Sequence, residues 1–437
     1  MEVLSIAVGG FRNLSRTKIL LEGGITSLVS TNNYGKSNLL DAVAFGVRFM
    51  NSTPQARARM MREDRCMPLV PGLAGDDYEF EVEIHDPSLG EYQYIRYGFS
   101  VAWVRDDGTG RRVTGETIEL SPSRGGNWAS YLNRVEGKYR PSHSAQRCSR
   151  KLHLDENQLA IDVLPAIDDV EINPAIRAIR RLRYGACYPL ETNGVMDDYP
   201  FEFEDQEEGG VFALSGSDLP HSLFELKRSH PERFAEFQSI VCELFPEMTD
   251  IDVVSSQLGP ELRQRLEDAA NDSDDAVPYR IRDEVYSIVV TSSHMNQPVN
   301  VVRMSGGTKR VIWLVARSVM ADIAGVGILG VEEIETGIHP RMMQALLEAI
   351  NDVLDRTKML LTSHSPHLIQ SLPFDRIYAG VPHDDGVASF ATLKADKRDE
   401  LSDAAYDRGM SVGEYIFALM SSGEDEEDIL RDYLEVR

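Results

Sequence analysis

The chain has 437 residues, 42% hydrophobic and 26% charged, the make-up of a globular protein with room for one to three domains. Seventy acidic residues against 45 basic ones give a formal net charge of −25, which argues against a protein coated with nucleic acid and leaves space for a local basic groove or a more basic partner. No run is long or apolar enough to span a bilayer, no signal-peptide pattern opens the chain, and Cys66, Cys148, Cys187 and Cys242 lack metal-ligand spacing, so reduced thiols in a cytoplasm are expected.

Residues 3–8, 17–21 and 24–29 read as short strands. The last leads into Ser30-Thr-Asn-Asn-Tyr-Gly-Lys-Ser37-Asn38, and Leu39, Leu40, Val43 and Val47 then mark a helix face. Strand, Gly-Lys-Ser loop and helix is the context of a phosphate-binding loop. Lys36 is expected to neutralise the β- and γ-phosphates, Ser37 to place its hydroxyl on Mg2+, and the amides of 33–37 to cradle oxygens. Ser30 stands where the usual pattern has its first glycine.

Arg57, Arg59, Arg62 and Arg65 follow in a stretch read as a helix or loop with a solvated basic face. Residues 78–120 alternate in short β-rich runs separated by DPSLG and RDDGTG turns, which predicts an antiparallel meander. Its aromatics are read as strand-packing residues in preference to base-stacking ones. Residues 121–155 are polar and read as loop, 156–183 as helical, 184–190 as a strand, and 189–210 as an exposed acidic segment. Two helices are expected within 217–245, with Leu219, Leu223 and Leu226, then Phe234, Phe237, Ile240 and Val241, on their buried faces. Residues 261–275 are a charged run, and 286–291 and 299–303 read as strands.

Ser305-Gly306-Gly307 precedes a helical pattern at Ile312, Val315, Ala316 and Val319. Glycines at a helix N-terminus let bare amides approach an anion, although an ordinary loop before a helix has the same appearance. Residues 326–331 form an apolar strand ending in Glu332-Glu333. Two carboxylates there are explained by a magnesium ion, with Glu332 in its shell, and an attacking water, with Glu333 taking its proton; a solvated acidic loop is the competing reading. Pro340 opens a helix buried through Met343, Leu346, Ile350 and Val353, and strand 359–362 delivers His364 to the same sheet edge as the carboxylates, where a γ-phosphate-sensing role is expected. A strand over 373–380, a turn at 382–386 and helices over 398–434 complete the chain.

FRN at 11–13, NNYGKSN, MSGGTKR, VEEIETGIHP and TSHSPHLI together resemble ABC-type ATPase heads of the RecF/SMC/OLD group, closest to the OLD-like stand-alone ATPases of bacterial phage-defence systems. The resemblance covers most of residues 1–380. It implies an α/β fold, a P-loop NTPase head of ABC type with a mixed central sheet, an antiparallel β subdomain and a helical insertion. The implied divisions are 1–120 and 281–380 as the two ATPase lobes, 121–280 as the middle lobe and 381–437 as a helical extension. The implied ATP-binding set is Arg12, Asn32, Asn33, Tyr34, Gly35, Lys36, Ser37 and Asn38, joined by Ser305, Gly306 and Gly307 acting on the ATP of a second subunit. The catalytic set is Lys36, Glu333 and His364, with Ser37 and Glu332 on Mg2+. Glu335 and His339 match the dimer seam, and Gln93 is one candidate for a glutamine that the motifs do not place.

Two departures stand out: Ser30 in the phosphate loop, and Ile334 where such proteins often have proline. No Toprim nuclease pattern follows His364, so an effector, a nuclease or toxin, is expected to be a separate protein. The expected assembly is a homodimer or higher homo-oligomer closed around ATP, with DNA possible and no membrane. A RecF-like DNA-repair ATPase and a slowly hydrolysing scaffold are the alternatives; a transporter ATPase fits poorly.

Overall fold

A computed structural model describes residues 1–105, 107–145, 147–167, 170–188, 196, 201–203, 219–271, 279–381, 385–421 and 424–435. The acidic 189–210 segment, the end of the 261–275 run and residues 382–384 of the expected turn fall mainly or wholly outside them. The chain divides into two compact units, one of Met1–Tyr184, Val326–Val331 and Arg356–Arg437, the other of Gly185–Gly325 and Glu332–Asp355. Among the described residues no helix is long and apolar enough to cross a membrane.

The first unit holds two sheets. In one, strand Glu2–Gly9 pairs antiparallel with Thr17–Leu20 on one side and Tyr78–His85 on the other. The ladder continues through Tyr94–Ala102, Arg112–Ser121, Ala129–Asn133, Lys138–Tyr139 and Arg150–Lys151. The meander expected over 78–120 is therefore present, and it extends into 121–155, which the sequence reading assigned to loop. Those added strands are two to five residues long, too short for an alternating pattern to show. The meander's aromatics pack inward as expected: Tyr78, Phe80, Tyr97, Phe99 and Trp103 are buried.

The other sheet carries four parallel strands in the order Ile328–Val331, Lys358–Ser363, Ile25–Val29 and Ile377–Gly380. Phe390–Leu393 and Leu434–Glu435 continue it antiparallel. The parallel strands are buried throughout, as a sheet covered on both faces requires. Val331 lies opposite Leu361, and Ser363 opposite Val29, so three strands end on one edge within about two residues of register.

The 16-residue helix Lys36–Asn51 buries Leu39, Leu40, Val43 and Val47 together with Phe45, Phe49 and Met50. Its last carbonyls have no partner within the helix and are met by arginines. Arg57 Nε donates to Phe49 O at 2.9 Å and Nη2 to Met50 O at 3.0 Å, while Arg180 Nη1 donates to Met50 O at 2.8 Å. Asp162 pairs with both guanidiniums. Arg57 is fully buried, which corrects the solvated basic face expected of it. The helix expected over 156–183 is two short ones, Ala160–Val163 and Asn173–Arg180, because Pro165 and Pro174 each withhold a backbone donor.

The second unit contains the expected helices Leu219–Ser229 and Pro231–Leu244, buried at Leu219, Leu223, Leu226, Phe234, Phe237 and Val241. A three-stranded antiparallel sheet of Met248–Gln257, Glu284–Ser292 and Val299–Asn300 accompanies them. Helices Gly306–Ile323 and Pro340–Val353 complete its packing. Strand Met248–Gln257 escaped the sequence reading because it ends in the exposed polar residues Ser255, Ser256 and Gln257 and carries Thr249, Asp250 and Asp252 in its first half.

Glu116 is a buried acid in the first unit. It accepts from Ala160 N at 2.5 Å, Ile161 N at 3.3 Å and Tyr97 Oη at 3.1 Å, with Arg134 3.8 Å away. Burial pushes its pKa up from 4.5 to about 7, against the pull of those donors and of Arg134. Across that window the folded chain keeps a proton that the unfolded chain has released, so stability falls as pH rises and then levels off. Urea midpoints at about pH 5 and about pH 8 should show this loss, and Glu116→Gln should remove that part of the pH dependence.

Candidate functional site

The FRN turn closes strand Glu2–Gly9. Phe11 is buried, within 6.4 Å of the Phe45, Tyr78 and Trp103 rings, and Trp103 Nε1 donates to Gly10 O at 2.8 Å. Arg12, at φ 51°, is thereby turned toward the helix Lys36–Asn51. Its Nη1 reaches Asn38 Oδ1 and Asp41 Oδ2, both at 2.7 Å, and its Nε donates to Arg65 O at 2.8 Å. Asn13 Nδ2 donates to Tyr34 O at 3.0 Å, and Asn13 Oδ1 accepts from Asn38 Nδ2 at 2.7 Å. The turn is a clip on the loop 30–38, with Arg12 engaged through helix residues.

The loop has one position that only glycine fills. Gly35 sits at φ 131°, and a Cβ there would lie 2.8 Å from the Ala388 Cβ and 3.0 Å from Asn13 Oδ1. Asn33 also takes positive φ, at 61°, a region Asn tolerates. Ser30 takes ordinary backbone angles, so its side chain fits where the motif has glycine. The Tyr34 ring turns away from the loop, with its hydroxyl between Val381 O and Ser389 and its edge on Phe390. What Tyr34 offers an anion is its backbone amide. Asn32, Asn33 and Ser37 are exposed, and Gly35 gives the helix no side-chain cap.

Lys36 is buried at 5% exposure. Its Nζ donates to Ser30 O and Thr31 O at 2.9 Å and to Ser30 Oγ at 3.2 Å, and it faces His364 Nδ1 at 3.2 Å. Residues 328 positions apart thus meet because strands Ile25–Val29 and Lys358–Ser363 are parallel neighbours. An ammonium can only donate, so His364 accepts at Nδ1 and carries its proton on Nε2.

The remaining expected residues lie in the second unit. Ser305 is the N-cap of Gly306–Ile323; its Oγ accepts from Thr308 N at 3.1 Å. Gly306 is open on its Cβ side, whereas a Cβ on Gly307 would lie 2.3 Å from Gly337 O. The start of that helix is therefore pressed against the 335–339 turn. Glu332 directly follows the strand Ile328–Val331, and its N–H donates to Cys187 O at 3.0 Å. Glu333 is exposed at φ 43°; its carbonyl accepts from Thr336 N at 3.0 Å and its Oε2 from Thr336 Oγ1 at 3.2 Å. Strained non-glycine backbone gathers at functional positions, and here it falls on the acid expected to act as base. Ile334 is fully buried, so it fills core where proline was expected. His339 caps the helix Pro340–Val353, Nδ1 accepting from Arg341 N at 3.2 Å.

Asn13, Asp41 and Arg310 were given no individual role from the sequence, although Asn13 and Arg310 lie within the FRN and MSGGTKR motifs. Arg310 carried a signal all the same, as a charged residue beside the apolar face of its helix. Gln93 is a poor candidate for a nucleotide contact. It bonds His85, which lies opposite Glu2, at the end of the first strand away from the FRN turn.

The profile of a protein family described as “AAA domain, putative AbiEii toxin, Type IV TA system” matches residues 214–370. Comparison with curated protein sequences gives no match. Among solved structures, an SMC head bound to the C-terminal winged-helix domain of ScpA is similar over 92% of this chain and all of its own, at 12% identity and TM-score 0.52. The SMC head of Thermotoga maritima covers 90% of this chain and 100% of its own length at 10% identity and TM-score 0.43. An SMC head with an extended coiled coil, bound to the C-terminal domain of ScpA and derived from Pyrococcus furiosus, covers 92% and 99% at 12% identity and TM-score 0.45. The fold is that of a P-loop NTPase head of ABC type.

The Gly307 approach yields a structural test. Gly307→Ala must displace the Gly337 carbonyl, so hydrogen exchange should quicken across both 304–310 and 335–339. Exchange unchanged in the second segment would show that the two are not pressed together.

Proposed function

We propose that the chain binds ATP with Mg2+ and hydrolyses it as a dimer closed around two nucleotides, and that this cycle gates a separate effector in bacterial anti-phage defence. The observation that carries the reading is Lys36: a buried ammonium at the start of a helix, on the carbonyls of its own loop and facing His364. Phosphate loops place a lysine in this way because the helix N-terminus and the ammonium act on one anion.

The residues present suit a magnesium triphosphate. The phosphate tail would lie over the amides of 33–37, where Gly35 supplies the backbone angle and no side chain caps the helix. Lys36 would move from Ser30 O and Thr31 O onto phosphate oxygens. Among the described residues no group of three or more His, Cys, Asp or Glu side chains gathers to hold a metal. Mg2+ is commonly held by one or two protein ligands plus phosphate oxygens, and the family resemblance assigns that part to Ser37 and Glu332; when bound, it would neutralise phosphate charge. Glu333 would take a proton from the attacking water as that water's oxygen bonds the γ-phosphorus and the β–γ bridging oxygen leaves. His364 would sense the γ-phosphate through the face it now turns to Lys36. Ser305, Gly306 and Gly307 of a second copy would close over the nucleotide, the helix start supplying amide donors.

The effector part of the proposal rests on the resemblance to stand-alone defence ATPases and on the toxin–antitoxin description of the matching family. The SMC head of similar fold is bound to a domain of another protein, which supports a partner here. A DNA-dependent form of the same cycle is favoured by one observation: Lys138, Arg140 and Arg147 line a pocket at the edge of the eight-stranded sheet of an otherwise acidic chain. It calls for ATP turnover stimulated by DNA and lost steeply with salt.

Lys36→Ala should abolish ATP binding by calorimetry, and unchanged affinity would remove the phosphate-loop assignment. Glu333→Gln should lower turnover by roughly 10²–10⁴-fold while trapping an ATP-bound dimer on size exclusion. Full hydrolysis in that variant would take Glu333 out of the base role. Copurification with the products of neighbouring genes should recover a nuclease or toxin, whereas replication proteins would favour the DNA-repair alternative.

A further inference from the structure

We propose that Arg310 is the positioning residue for the Glu332-Glu333 pair, an inference that rests on the ATPase reading above. Arg310 is 2% exposed in the second unit. Its Nη2 donates to Glu332 O at 2.9 Å and its Nη1 to Tyr188 O at 3.1 Å, while its guanidinium lies 4.6 Å from the centre of the buried Trp313 ring. Burying a cation is costly unless hydrogen bonds satisfy it, and a Met or Leu would fill the same space at lower cost. What a hydrophobic residue lacks is a hold on the two backbone carbonyls.

The peptide groups around Glu332 are fixed on both sides. Its N–H donates to Cys187 O, and its carbonyl accepts from Arg310. The next residue, Glu333, takes φ 43°, which costs about 1–3 kcal/mol and persists only where the surroundings over-determine it. Arg310 supplies one side of that determination, and the Thr336 bonds to Glu333 supply the other. The same helix begins at Gly306, so the Ser305–Gly307 cap and the acid pair are joined through Arg310 as well as through the Gly307–Gly337 approach. Lysine cannot replace this group: it has no fork to span two carbonyls and no plane to stack on Trp313.

The test uses the full chain with Arg310→Lys and Arg310→Met, followed by steady-state ATP turnover across a Mg2+ series, ATP affinity by calorimetry, and thermal melting. Arg310→Lys should lower kcat by about 10²-fold, the cost of a displacement near 1 Å in a catalytic group. ATP affinity should stay within about twofold, a split between kcat and binding that a purely structural role would not give. The Mg2+ needed for half-maximal turnover should rise, because Glu332 shifts with its carbonyl. Turnover equal to wild type overturns the inference, as does a fall in turnover that tracks a loss of both ATP affinity and melting temperature. If Arg310→Met fails to fold, Arg310→Lys decides. A wild-type chain with no ATP turnover removes the ATPase reading itself, whereas an active wild type matched by Arg310→Lys removes only the role of Arg310.

Discussion

The first unit is built around the two electrically unlike ends of one helix. Lys36–Asn51 carries the equivalent of about half a positive charge at its start and half a negative charge at its end, where its first amides and last carbonyls lack partners inside the helix. The end is answered permanently: Arg57 and Arg180 put two guanidiniums on the carbonyls of Phe49 and Met50, and Asp162 pairs with both. Burial alone would raise the Asp162 pKa, but the bonds and charges of Arg57 and Arg180 outweigh it and hold the carboxyl below its usual range. The start carries no side-chain cap. The FRN clip holds the loop from the side, through Asn13 on Tyr34 O and Arg12 on Asn38 and Asp41. One end of the helix is thus a fixed joint, and the other, without a side-chain cap, is where we propose an anion binds.

The second unit solves a different problem. The residues proposed to act there sit on turns, where backbone is hard to hold, and the molecule holds it by contact between turns. Gly307 lets the start of one helix meet the Gly337 carbonyl, and a buried arginine three residues further on takes the Glu332 carbonyl. A side chain at 307 or a shorter cation at 310 would break one of these fastenings and leave the other. The strain at Glu333 is the counterpart of this rigidity, because positive φ in a glutamate survives only in a frame that cannot relax.

Much of this was legible in the sequence because it depends on short-range pattern. The parallel strands are short runs with a mainly apolar centre, the helix after Lys36 shows its period in Leu39, Leu40, Val43 and Val47, and glycine appears where a Cβ has no room. Other features depend on partners far away in the chain and left little local trace. Arg57 reads as a surface residue until Asp162, 105 positions later, makes its burial tolerable. The strands within 121–155 owe their existence to the ladder beside them, since two residues such as Lys138–Tyr139 cannot declare a strand alone. Tyr34 lies in the phosphate loop by sequence and in the sheet by packing, because Gly380 leaves space for its ring. His364 and Lys36 were each visible, but their meeting follows from strand order, which no local pattern encodes.

The net charge of −25 gains meaning from this arrangement. A field of that sign disfavours a polyphosphate at long range, yet salt screens exposed charges beyond about 8 Å at physiological strength. Within that distance the start of the helix at Lys36 offers amides, an ammonium and an imidazole. Recognition of an anion by an acidic protein is then a matter of a few aligned dipoles and one cation at contact range, where an effective dielectric well below that of water strengthens each of them. The overall charge bears on association with other macromolecules, which meet the whole surface at once, and it biases this chain toward partners that carry the opposite sign.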